Sequence, residues 1–285
     1  MAYNSGSDPT LAELITAKFI PEMFSNEVVM HTMSNLVVAP SFNSTFKNDL
    51  RKGYKVSIPV FSEGSATEVT PGTEPTAGDL KGTAASITVD KWYEASAEAS
   101  DLIEVEQEAD YLKGAAESCS YSILKKIDST VGALFSALTG SAVHGSDGQT
   151  FTDDIFITLT ETLDEADVPM ENRSLIGDPS MRADMLKIDK FIRTDYVRTP
   201  VVATGQIGVI YDAAVKITNN LTAASTGNYG TLAHRDAIGV VIQKNPRSKA
   251  WDMGYKFLTK IICDCAWGCA EIRDTFGIAF YTRSS

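Results

Sequence analysis

Apolar residues recur along this chain with two different periods, and the period changes from segment to segment. The clearest helical pattern runs over residues 104–138. Ile123, Ile127, Val131, Leu134 and Leu138 step by four and three there, with Leu112, Ala115 and Ala116 upstream. Only Gly114 and Gly132 interrupt it. At about 1.5 Å per residue the helix is roughly 50 Å long, a spine rather than an ordinary helix. Its first half carries Glu104, Glu106, Glu108 and Asp110, carboxylates that complement the positive end of a helix dipole. The pattern stops near Gly140, and a turn is expected over Gly145–Gly148.

Strand-like alternation appears on both sides of this helix. Residues 54–61, YKVSIPVF, alternate and hold β-branched residues; residues 84–93, AASITVDKWY, give a second strand. The stretch Ser62–Gly82 between them is rich in Gly, Thr, Pro and Glu and too poor in large apolar residues for a core. It reads either as a flexible surface loop or as the end of a long two-stranded ribbon. Such a ribbon is marginal in water and needs a neighbouring subunit to lie on. Residues 1–50 read as an arm. Leu11, Leu14, Ile15 and Phe19 have helical spacing, with Asp8 and Thr10 as N-caps, until Pro21 interrupts. A second apolar run spans Val28–Val38. Neither run can bury itself alone, so both are expected on other surfaces.

The texture changes at Phe151. Residues 153–167 read as a capped helix or a strand followed by a helix. SLIG (174–177) reads as a strand, and Pro179 opens a helix bearing Met181, Met185 and Leu186. Residues 205–218 are turn and strand, and Asn219–Gly230 is a polar, Gly-rich loop. An apolar segment follows at Ala237–Ile242. Strand-like runs then cover Gly254–Ala266, Ala270–Ile272 and Gly277–Tyr281. The sum is an α+β protein with one long helix and no solenoid-like repeat.

Composition narrows the function. The 285 residues are 44% hydrophobic, enough for one large domain or two small ones. A net charge of −12 repels phosphate, which argues against general nucleic-acid binding. MAYNSGSDPTLAEL lacks a basic start followed by an apolar run, so no secretory signal is expected. The runs Ile238–Ile242 and Phe257–Ala270 are too short or interrupted to span a bilayer, and no membrane role is expected. Four cysteines form no disulfide scaffold, which points to folding in a reducing cytoplasm. The sequons at Asn43, Asn172 and Asn220 are then accidents of composition.

No motif for catalysis survives inspection. His234-Arg235-Asp236 matches the kinase HRD triplet, but Val241 stands where that pattern needs Asn. It reads as a capping or packing triplet. Cys263, Cys265 and Cys269 are spaced C-x-C-x₃-C, without the C-x₂-C knuckle of a zinc site. On a strand, Cys263 and Cys265 share a face with Ile261 and Trp267, so core packing is favoured over metal. His31, His144 and His234 are far apart and suggest no triad. No catalytic, cofactor-binding or metal site is assigned, and no cofactor is expected. The acidic run Glu94–Asp110 is a solvated face or a partner for cations such as Lys47, Arg51, Lys52 and Lys55 on another subunit.

The order of segments resembles the major capsid protein of tailed bacteriophages, with the Hong Kong 97-type (HK97-like) coat fold. GYKVSIPV, the Pro/Gly/Thr loop and ASITVDKWYEAS resemble that fold's extended loop. The helix after DLIEVEQEADYL resembles its spine. In LDEADVPMENRSLIGDPSMRADML, Leu163, Asp164, Val168, Pro169, Arg173 and Pro179 match a stretch found in smaller phage coats. Gly205, Ile207, Gly208 and Asn219 resemble the next segment, and LAHRDAIG and AWGCAEIRDTFGIAFYT the closing ones.

The resemblance implies an N-terminal arm (1–50), an extended β-hairpin loop (51–93), a peripheral domain with the spine helix (94–152 and 233–285) and an axial domain (153–232). It implies a non-enzymatic subunit that self-assembles into hexamers and pentamers of an icosahedral shell enclosing a phage genome, DNA that it holds without sequence-specific binding. Assembly in the host bacterial cytoplasm, residence in the virion, portal and scaffolding proteins as partners, and a decoration protein as a further one all follow from it. No long charged N-terminal extension of the fused-scaffold kind is expected, so the resemblance implies a separate scaffolding protein or assembly without one; Lys81 lies on the loop's return limb without a marked crosslinking partner, so no crosslink is expected. Two rivals stand beside this reading: an encapsulin-type nanocompartment shell, which shares the fold, and a metal or redox protein using Cys263, Cys265 and Cys269.

Overall fold

The structure, a computed structural model, describes residues 36–48, 53–61, 82–100, 111–138, 143–188, 208–254 and 256–283, together with 66, 68, 71 and 72. The expected helical run at Leu11–Phe19, most of the Ser62–Gly82 loop, the acidic stretch 101–110, and His31, Arg51, Lys52, Lys81, Gly205 and Ile207 lie outside the described residues.

In chain order the strands are β1 (Lys55–Phe61), β2 (Gly82–Thr88) and β3 (Lys91–Ser100), before helix α1 (Tyr111–Gly132). β4 (Val143–His144) leads to α2 (Asp153–Glu165), β5 (Arg173–Gly177) and α3 (Pro179–Met185). β6 (Val209–Ile210), β7 (Ala213–Ile217), β8 (Tyr229–His234), β9 (Ile238–Met253), β10 (Leu258–Glu271) and β11 (Gly277–Tyr281) complete the chain. They form three sheets: a β1–β2 ribbon, a three-stranded sheet ordered β3-β10-β9, and a six-stranded sheet ordered β4-β11-β8-β5-β7-β6.

Local chemistry explains the elements. Thr152 caps α2 by accepting from the Ile155 amide, and Asp153 and Asp154 fill the acidic first turn. Phe156, Leu159 and Leu163 then form its buried stripe. Asp178 caps α3 by accepting from Met181, with Pro179 at the first helical position. α2 and α3 cover the six-stranded sheet through Phe151, Phe156, Leu159, Leu163, Leu175, Met181, Met185, Leu232 and Phe280. In the three-stranded sheet, Ile261, Cys263, Cys265 and Trp267 of β10 all point to one face and pack beneath Cys119, Ile123 and Ile127 of α1. The alternation predicted for these cysteines is therefore the observed one. Ala95 and Ala97 of β3 face the same helix, their small side chains letting it lie close.

Several expectations change. The spine helix ends at Gly132, and residues 135–137 form a 3-10 turn instead of continuing to 138. The predicted strand 84–93 is two strands, β2 and β3, in different sheets. The acidic run begins as strand: Glu94 and Glu98 alternate with the inward alanines. β8 starts inside the expected loop Asn219–Gly230, and the runs Gly254–Ala266 and Ala270–Ile272 are one strand, β10. β9 is sixteen residues long, far beyond the apolar segment Ala237–Ile242.

The end of the expected arm also differs. Residues 36–48 pack on their own body rather than on another surface. Val38 and Phe42 are buried beside Val131 and Phe135, with the Phe42 and Phe135 rings 5.9 Å apart. Sheet membership crosses the expected boundaries as well, since β4 and β11 join the six-stranded sheet that the 153–232 segment otherwise supplies.

Candidate assembly surfaces

Three features could carry a structural role: a strap that ties the N-terminal chain to the body, a ribbon with little support of its own, and a charged sheet face left open.

The strap is held by one side chain. Asp128 of α1, almost wholly buried, accepts from the amides of Val37 (3.1 Å), Val38 (3.3 Å) and Ala39 (2.8 Å). These would otherwise be unpaired donors against an apolar core. Further along, Asn43 bridges β9: its amide reaches the Arg235 carbonyl, its carbonyl accepts from Val240, and its Nδ2 donates to Asp236 at 2.7 Å. The His234-Arg235-Asp236 triplet is thus a turn between β8 and β9 that seats the strap. The His234 ring stands edge-on to Phe276 at 5.6 Å, and its Nδ1 accepts from the Asp236 amide. Burial, with Arg173 and Arg273 nearby, pushes the His234 pKa below its ordinary value despite Asp236.

The residues that suggested a family stretch prove to be a structural knot. Arg173 is buried and ion-paired with Asp164 at 2.7 Å, while its Nε donates to the Pro169 carbonyl at 3.0 Å. It closes the α2–β5 loop, where Asp167 and Asn172 sit at φ 53° and 59°. Near the C-terminus Arg283 binds the buried Asp184 through Nε at 2.9 Å. Burial alone would raise the Asp184 pKa, but Arg283, Lys187 and the Phe151 amide outweigh it and hold it below the ordinary value.

The ribbon leaves the body at Gly53 and Tyr54. Gln243 donates to the Gly53 carbonyl at 2.7 Å and Val89 to that of Tyr54 at 2.8 Å. Val56 and Ile58 contact a small cluster built on Ile87 and Val241. Toward the far end Phe61 is 70% exposed, opposite Gly82.

The open face belongs to β3-β10-β9. Opposed residues of antiparallel strands share a face, so the register sets out its pattern. Trp92, Glu94 and Glu98 on β3 lie opposite Ala266, Asp264 and Lys260 on β10, which lie opposite Lys244, Arg247 and Trp251 on β9. At its centre Asp264 accepts from Lys244, Arg247 (2.8 Å) and the Trp92 indole (3.2 Å). The Arg247 and Lys244 cations hold its carboxyl far below the usual range. The Lys244 ammonium also lies over the Trp92 ring at 5.3 Å. Pro246, lacking an N–H, falls where the β9–β10 register shifts, and β9 is an edge strand. Trp92, Trp251 and Phe257 are large exposed aromatics of this region, at 73%, 57% and 74%.

Among the described residues no group of three His, Cys, Asp or Glu side chains is placed to hold a metal. Cys263, Cys265 and Cys269 lie on one strand and none is in a disulfide; Cys269 bonds weakly toward the Thr130 carbonyl. His144 lies in β4 and His234 ends β8. No described helix is long and apolar enough to cross a membrane.

A body of one long helix on a three-stranded sheet, a separate six-stranded sheet and a projecting ribbon is an α+β architecture shared with chains of solved bacteriophage structures. A chain of Mycobacterium phage Che8 matches with a TM-score of 0.78 at 20% identity, over 92% of this chain and 97% of that one. The capsid structure of cyanophage P-SCSP1u matches at 0.74 and 16% identity, over 94% of both chains. A chain of the mature capsid of bacteriophage PhiM1 matches at 0.70 and 13%, over 92% of this chain and 91% of that one. At these identities the likeness is one of fold, and the fold is the Hong Kong 97-type coat fold that the segment order suggested. No protein-family model matches the chain, and no curated protein matches its sequence.

Proposed function

We propose that this chain is the shell-forming subunit of a tailed-phage capsid, non-enzymatic, building an icosahedral wall around the phage genome. One observation carries the reading: the backbone follows chains of capsid structures over more than nine-tenths of both lengths. The ribbon supports it, since two strands with an exposed far end gain stability only by lying on something else. In this reading the ribbon and residues before the strap lie on adjacent copies. Segment 153–232, with β4 and β11, forms the axial part of hexamers and pentamers. α1 with the three-stranded sheet forms the peripheral part. Assembly takes place in the bacterial cytoplasm with portal and scaffolding proteins, and a decoration protein is an additional partner of the finished virion.

Many modest contacts repeated around closed symmetry give a sharp concentration threshold. Electron microscopy of the purified chain, concentrated alone and with scaffolding protein, tests this. Closed particles with hexameric and pentameric units are expected. A chain that stays monomeric in every condition, or a particle whose native cargo is an enzyme rather than DNA, would overturn it.

A further inference from the structure

Two thiols meet inside the core that joins helix to sheet. Cys119 lies on α1 and Cys263 on β10, and both belong to the cluster of Ile123, Ile127, Ile261 and Trp267. The Cys263 sulfur also lies 3.7 Å from the Ala116 carbonyl and 3.6 Å from Ser120 Oγ, so it sits against the turn of α1 that carries Cys119. The other two thiols point elsewhere: Cys265 donates to the Lys244 carbonyl at 3.1 Å, and Cys269 approaches Thr130 at 4.0 Å. All four are free. The pair therefore brings together two elements far apart in sequence, across the contact between α1 and β10.

We propose that Cys119 and Cys263 are an oxidisable pair, closing to a disulfide that staples α1 to β10 when the chain leaves a reducing environment. The oxidant is a small disulfide of the oxidised-glutathione class. The Cys119 thiolate attacks one of its sulfurs, forming a mixed disulfide and releasing one small thiolate. The Cys263 thiolate then attacks the Cys119 sulfur and expels the second. Two cysteine thiols are oxidised and lose two protons, and one small disulfide is reduced to two thiols. Cys119 takes the first step because it is 8% exposed whereas Cys263 is fully buried. Burial, followed by the Cys263 neighbour, also raises the Cys119 pKa, so the exchange is slow at neutral pH and quickens as pH rises. The staple is a property of the single chain and does not depend on shell formation.

The test uses the full-length protein, incubated with oxidised glutathione at pH 8, then unfolded, alkylated and mapped. The expected result is the loss of two of its four thiols, a Cys119–Cys263 linked peptide, no covalent dimer, and a Tm raised by about 5–10 °C. Cys119→Ala, at the less buried position and beside Ala115 and Ala116, removes the link and the Tm shift; the double variant Cys265→Ala, Cys269→Ala keeps both. If four thiols remain after oxidation, or the link runs to Cys265 or Cys269, or the Tm shift persists in Cys119→Ala, the pair is not a staple.

Discussion

Single side chains in this molecule do their work by closing off backbone groups, and Asp128 is the clearest case. Three strap amides end on one buried carboxylate. Asp128→Ala leaves them without an acceptor beside Val131 and Phe135, which should cost about 3 kcal/mol. Asp128→Asn keeps one acceptor oxygen and should lie between. Urea unfolding measures the loss, and limited proteolysis should show earlier cleavage around residues 36–43 than in the parent. His234 gives a pH dependence of known sign. Its folded pKa lies below the ordinary 6.5, so the unfolded chain binds the proton more readily. Its neutral form supports the fold at neutral pH, and that support is lost as pH falls from about 6.5 through the lower folded value. Unfolding measured between pH 7 and 5 should lose stability as acid is added, and His234→Gln should flatten that slope. Asp184 acts only in stronger acid: its folded pKa lies below 3.8, so its contribution is lost as pH drops through that lower value.

At the scale of elements, the crossing of ribbon and sheet is a tight joint. A Cβ at Gly268 of β10 would stand 2.2 Å from the Thr88 carbonyl oxygen, where β2 passes toward β3. Backbone cannot yield there as a side-chain tip would, so Gly268→Ala should destabilise by about 1–3 kcal/mol. It should also speed proteolysis within the ribbon relative to the rest of the chain. Thermal unfolding alongside a digestion time course checks both. Elements whose residues sort themselves by burial could be read from the chain: α1 from Ile123, Ile127 and Val131, β10 from Ile261, Cys263, Cys265 and Trp267, and α2 in part, since its segment also fits a strand followed by a helix. Elements held by pairing with a neighbour could not. The outer half of β9, from Gln243 to Met253, is largely polar or exposed and is strand because β10 lies beside it. β3 carries Ala and Glu, which read as neither strand nor core until α1 is laid over the alanines. The strap escaped for the same reason, because its anchor, Asp128, lies on the polar side of the helical pattern and looks like an ordinary surface acid.

For the whole molecule, the contrast between a self-sufficient body and an under-supported ribbon decides how function should fail. Phe61 and Gly82 are paired across the ribbon, so the intervening residues 62–81 can be replaced by Asn-Gly, which closes a two-residue hairpin of the kind antiparallel strands favour. The contacts holding the ribbon base, Gln243 to Gly53 and Val89 to Tyr54, are untouched by that change. The shortened chain should therefore fold, with a circular dichroism spectrum and Tm close to the parent's. If residues 62–81 lie on a second copy, each subunit loses one contact in a closed assembly. Even about 1.4 kcal/mol per contact raises an equilibrium constant tenfold, and closed symmetry compounds the loss over every copy. The concentration at which particles appear in light scattering should rise at least about tenfold, or particles should vanish, while the monomer stays intact. Unchanged particle formation by a well-folded shortened chain would mean that the ribbon's far end is a solvated loop, and that the shell contacts lie on the charged face around Asp264 and on the axial sheet instead.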